Sequence, residues 1–176
     1  MMSALIAGGM AAAWSESRDQ MANSHADGHY HPNKSGLYEV PLAEYGEVDF
    51  PLRYQDKLIK VMAWGLDGLA VNPKGYRVLL MQRDPEEIRQ SYEAFFDRPL
   101  KMPWFAQYSE RMERAVKVLR NRSDVSSVDV IQYRDLVANP LAELAMLDWP
   151  IDVRAAAGIV DPEQCRFKRE SLTVGI

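Results

Sequence analysis

The stretch from 76 to 96, YRVLLMQ followed by RDPEEIRQSYEAFF, constrains the fold more than any other part of the chain. Its first part is a short apolar, β-rich run, the pattern of a buried strand. The second part opens a helix with unusually complete start signals. Asp84 is a good N-cap, Pro85 takes the first helical position, and Glu87 stands where a capping box places its acid. Ile88, Tyr92, Phe95 and Phe96 recur at i, i+4, i+7 and i+8, which lays one apolar stripe on a sheet. Strand, tight turn and helix in this order form the repeating unit of an α/β sheet.

Two polar residues in this unit need a reason. Arg83 falls at the carboxyl end of the strand, where open α/β sheets place their ligands. Ser91 follows roughly two turns along the helix, about 10 Å from its start. An Arg side chain lying along the helix reaches toward that hydroxyl, and the pair could grip a phosphate from two sides. Glu86 and Glu87 already occupy the positive end of the helix, so side chains, not the dipole, would hold the anion. The same residues also fit a capped surface helix whose Arg pairs with a neighbouring carboxylate.

Arg83-Asp84-Pro85 followed by Ser91-Tyr92 resembles the 3′-phosphate-binding element of sulfotransferases that use 3′-phosphoadenosine 5′-phosphosulfate (PAPS). Other segments resemble that family in the same order. MMSALIAGGM is similar to the helix after its phosphosulfate loop, HPNKSGLYE to its Asn-Pro-x-Gly-Tyr-Tyr-Glu segment, and KLIKVMAW to its second core strand. YRDLVANP is similar to its Tyr-Glu-Asp-Leu-Val-x-Asp-Pro. The resemblance covers most of the chain and is strongest to bacterial sulfotransferase-like proteins. It implies a strand and a phosphosulfate-wrapping loop ahead of Met1, so the sequence is expected to be either a fragment or a form lacking half of the donor site. No Gly-rich Lys or Arg loop of that kind occurs within the 176 residues.

A chain of this length makes one domain, 1–176, with room for a real core. Its net charge of −4 argues against a general nucleic-acid binder. A single cysteine, Cys165, excludes an internal disulfide and suits a reducing compartment. The apolar start, MMSALIAGGMAAAW, has no positive segment before it and is too short to span a bilayer. A buried helix ending near Gly8-Gly9 is therefore expected, in a protein located in the cytoplasm.

From 15 to 40 the chain turns polar and holds His25, His29 and His31. Structural zinc sites usually want four ligands, no Cys lies nearby, and no metal is expected. A polar loop with solvated histidines fits better. The resemblance makes it a wall of the acceptor pocket, where a proton must be taken from the attacking group. His31 and Glu39 are the candidate bases. Residues 57–63 read as a second core strand with Lys60 inside it. A buried-strand lysine snorkels to an edge or faces an anion, and the resemblance makes Lys60 a candidate stabiliser of the transferring sulfuryl group.

A long amphipathic helix is expected over 104–120, with Phe105, Tyr108, Met112, Ala115 and Leu119 inward. A third strand follows at 128–133, then a helix capped by Asn139-Pro140 with Leu141, Leu144, Ala145 and Leu147 inward. The tail carries Arg166, Lys168 and Arg169. By the resemblance Arg166 and Arg169 are candidates to cover the 3′-phosphate; by composition the tail is a solvated charged terminus.

The expected fold is α/β, a mostly parallel sheet flanked by helices, of the P-loop nucleoside-triphosphate-hydrolase and sulfotransferase type but short of its first strand. The resemblance implies sulfuryl transfer from PAPS to a hydroxyl or amine in the intact form, by positioning and charge stabilisation as in phosphoryl transfer. PAPS and adenosine 3′,5′-bisphosphate are then co-substrate and product. The partners are a small-molecule or glycan acceptor, with no nucleic acid and no membrane, and a homo-oligomer stays an open state. Two alternatives stand: a non-catalytic nucleotide-binding or interaction module, and a P-loop kinase-like enzyme, which needs a Walker lysine the chain does not show.

Overall fold

Side-chain alternation along two strands sets the architecture. In β1 (Tyr76–Gln82), Val78 and Leu80 pack into one apolar core while Leu79 and Met81 pack into another. β2 (Val125–Gln132) does the same with Val128 on the first side and Ile131 on the second. The strands are parallel, with Val78 opposite Val128 and Gln82 opposite Gln132. The structure, a computed structural model, describes residues 1–13, 40–99 and 107–162. Within these residues the protein is α/β, a two-stranded parallel sheet with helices on both faces.

The first core is filled by Tyr45, by Phe50 of α2 (Phe50–Arg53), and by Leu66 and Leu69 in and after the 3-10 turn Ala63–Gly68. Its remaining wall is α4 (Tyr108–Asn121), whose Met112, Ala115 and Leu119 are buried at helical spacing as expected. Gly65 lets the 3-10 turn lie flat on Tyr45, since a Cβ there would stand 2.5 Å from the tyrosine ring. The second core collects Ala4 of α1 (Met2–Ala7), Leu136 of α5 (Tyr133–Ala138), Leu144 of α6 (Pro140–Ala145) and Ala156 of α7 (Val153–Gly158). Asp129, the one carboxylate on that face of β2, accepts from Trp149 Nε1 at 2.9 Å.

Three expectations change. Residues 57–63 do not join the sheet. Leu58 makes an isolated parallel bridge to Ala12, and Lys60 accepts from Val40 at 3.4 Å before the chain turns into the 3-10 segment. Ile59 and Val61 still pack against the first core, so alternation announced burial but not a ladder partner. In and just after α6, Leu144 and Leu147 are buried as expected, whereas Leu141 is half exposed and Ala145 faces solvent.

The third change concerns α3 (Pro85–Phe96). Its apolar positions Ile88 and Tyr92 are half-buried and stand in neither core, and among its described side chains the one fully buried is Glu87. Phe95 and Phe96 lie at its end, where only the backbone is described. Among the described residues no helix is long and apolar enough to cross a membrane.

The loop into β1 is tied to the turn into β2 by one ion pair. Arg122 Nε donates to Asp124 at 2.8 Å, and its other nitrogens reach the carbonyls of Leu69 and Ala70. Asp124 in turn accepts from the Asn72 backbone N–H at 2.9 Å. The hydrogen bond from Arg122 is the main reason that the Asp124 carboxyl is held down at about 2. Because the folded-state value lies below the unfolded one, this stabilisation is complete above the ordinary carboxylate range and disappears as pH falls toward that value. It amounts to roughly 2 kcal/mol. We expect Asp124→Asn to lower stability by about that much at pH 7 and by progressively less below pH ~4. Urea unfolding at several pH values checks this; an equal loss at pH 7 and at pH ~2 would contradict it.

Candidate functional site

Parallel pairing brings the carboxyl ends of β1 and β2 to one place, with Gln82 and Gln132 side by side. The residues that follow are therefore neighbours, Arg83-Asp84 leading into α3 and Tyr133-Arg134 opening α5. The start of α4 closes the third side with Tyr108. Between them lies a cleft of about 390 Å³, lined among others by Arg83, Asp84, Tyr108, Tyr133, Arg134 and Asp135.

The floor of this arrangement is the Glu87 carboxylate, which is completely buried. One oxygen accepts from Arg83 Nε at 3.2 Å and the other from Arg134 Nε at 2.5 Å. A buried carboxylate without partners would carry a heavy desolvation cost, so two guanidinium donors explain its tolerance. The contact overturns the expected capping box. Asp84 does cap the helix, through the Glu86 backbone N–H at 2.8 Å, but Glu87 turns away from the cap toward the arginines.

Arg83 is thereby fixed on two sides. Its Nε is bound to Glu87 and its guanidinium lies 4.7 Å from the centre of the Tyr133 ring. Its terminal nitrogens make no hydrogen bond to a described residue. Burial pushes the Tyr108 phenol up from its ordinary value, and the adjacent Arg83 backbone and charge pull it partly back. Asp84 and Asp135 line the same cleft, so its positive charge is concentrated at the two guanidinium groups and is not general.

The remaining sequence candidates separate. Ser91 is half-buried one turn beyond Glu87 on α3, on the same face, and does not line the cleft. Arg83 is caught by Glu87 before it reaches that hydroxyl. Lys60 lies beside Met1 at the start of α1 and outside the cleft. His31, Glu39, Arg166 and Arg169 fall outside the described residues. Sequence reasoning missed Glu87 as an ion-pair centre, and Arg134 altogether. A signal for Arg134 was present, since it stands where the resembled Tyr-Glu-Asp-Leu segment carries an acid.

No family model, curated protein or solved structure matches this chain.

The shared carboxylate makes a specific stability prediction. Arg83→Ala or Arg134→Ala leaves Glu87 with one guanidinium, whereas the double variant leaves it buried and unpaired. We expect the double variant to lose more stability than the two single losses added, reaching on the order of 3–5 kcal/mol. Urea midpoints of the four proteins measure it, and simple additivity would contradict a shared partner.

Proposed function

We propose that the cleft binds the 3′-phosphate of an adenine nucleotide, with Arg83 as its principal cation, and that the chain belongs with the PAPS-dependent sulfotransferases. In that reading the two-stranded sheet is part of a P-loop-type parallel sheet. The observation that carries the proposal is the state of Arg83. It stands at the carboxyl end of a parallel strand with its Nε side held by Glu87, its face held by Tyr133, and its terminal nitrogens hydrogen-bonded to none of the described residues. Such a preset fork suits the bidentate geometry of a phosphate. Glu87 supplies orientation at the cost of part of the positive charge.

The reaction consistent with this site moves a sulfuryl group from PAPS to a hydroxyl or amine. The acceptor oxygen or nitrogen forms a bond to sulfur, the bond from sulfur to the 5′-phosphate oxygen breaks, and the acceptor's proton passes to a base. Adenosine 3′,5′-bisphosphate leaves. Holding the 3′-phosphate fixes the donor and so contributes positioning to both substrate and transition state. His31 and Glu39 are the candidate bases because the step needs a His or carboxylate near the acceptor, and the resemblance makes Lys60 a candidate charge stabiliser. A small-molecule or glycan would be the acceptor, in a cytoplasmic protein. A binding module without transfer chemistry would share the same anchor and differ in lacking turnover.

Calorimetric titration with adenosine 3′,5′-bisphosphate, beside AMP, tests the anchor. We expect the bisphosphate to bind more tightly, with Arg83→Ala losing about 2 kcal/mol as a charged contact. Equal binding of the two nucleotides, or indifference to Arg83→Ala, would overturn the reading.

A further inference from the structure

We infer that Arg134 is a second ligand-binding residue of this cleft, contacting the phosphate together with Arg83 instead of serving only as counter-ion to Glu87. The inference rests on the reading of the cleft as a phosphate site and identifies how the site meets a doubly charged group. Three observations carry it.

The first is redundancy. Glu87 bears one charge and is already bonded to Arg83, yet a second guanidinium is brought to its other oxygen at 2.5 Å. A single arginine can satisfy a carboxylate through two parallel bonds. Glu87 is instead shared by two guanidinium groups, each bonded to it through one nitrogen only. The second observation is direction. Both arginines reach the carboxylate through Nε, sideways, and both line the cleft. The third is exposure. Glu87 is sealed from solvent, while the Arg134 side chain is 48% exposed and that of Arg83 22%. The anion is therefore beneath and the cations above it, toward the open side.

A phosphomonoester presents several acceptor oxygens, and each guanidinium bonded to Glu87 through Nε keeps its terminal nitrogens on the cleft side as possible donors. Glu87 sets the spacing of the pair, so it is a positioning residue for both.

A double-mutant comparison tests the direct contact. Glu87→Gln removes the buried charge and with it Arg134's role as counter-ion. Adenosine 3′,5′-bisphosphate is titrated into wild type, E87Q, R134A and E87Q/R134A, with near-ultraviolet circular dichroism to verify folding. We expect E87Q/R134A to bind about tenfold or more weakly than E87Q, the loss of a charge-assisted contact. Equal affinity of those two proteins, with binding still abolished by Arg83→Ala, would overturn the role of Arg134 and leave the phosphate reading standing. Absence of bisphosphate binding in wild type would overturn both. Should E87Q/R134A fail to fold, Arg134→Lys against wild type serves instead. It retains the charge without the fork, and is expected to bind several-fold more weakly; unchanged affinity would overturn the inference.

Discussion

A carboxylate with no exposure to water has to be paired, and Glu87 is paired twice. That requirement fixes more of this protein than any single apolar contact. Glu87 is the buried anchor of α3, Arg83 follows β1, and Arg134 follows the end of β2 on α5, so one ion triad joins the helix to the ends of both strands. Of the apolar stripe of α3, Ile88 and Tyr92 are only half-buried. The cleft exists because the triad holds its two arginine walls at a set distance from the same carboxylate.

Away from the triad the structure is governed by alternation. Each strand has one row of side chains in each core, so the sheet needs cover on both faces, and the helices supply it. The Arg122–Asp124 pair fixes the opposite end, where the loop before β1 meets the turn before β2. The strands are thus clamped by charge at both ends and by hydrocarbon between them. The amino-end clamp commits its guanidinium to Asp124 and to the Leu69 and Ala70 carbonyls. Its carboxyl-end counterpart combines an anion beneath with cations above, and this asymmetry is what makes it a candidate site.

Much of this was legible from residues alone. YRVLLMQ and the cap Asp84-Pro85 announced β1 and α3, because apolar runs and cap chemistry are local properties. The buried face of α4 was equally clear from the spacing of Met112, Ala115 and Leu119. Glu87 was misread for a physical reason. Its distance from Asp84 suits a capping box, but the same position faces whatever lies at the strand ends, and only the tertiary fold brings Arg134 there. Residues 57–63 show the complementary failure. Their alternation encodes burial, whereas a strand also needs a neighbour in register, and that neighbour lies elsewhere in the chain. Arg83 lines the cleft because parallel strands gather their carboxyl ends whatever follows them, and it pairs with a neighbouring carboxylate, which the sequence also allowed.

The most direct test is a crystal structure of the chain with adenosine 3′,5′-bisphosphate bound. The account predicts the 3′-phosphate in the cleft, within hydrogen-bond distance of the Arg83 terminal nitrogens and of Arg134, with Glu87 still buried beneath both arginines. A phosphate bound elsewhere on the molecule, or a cleft unchanged at saturating nucleotide, would contradict it.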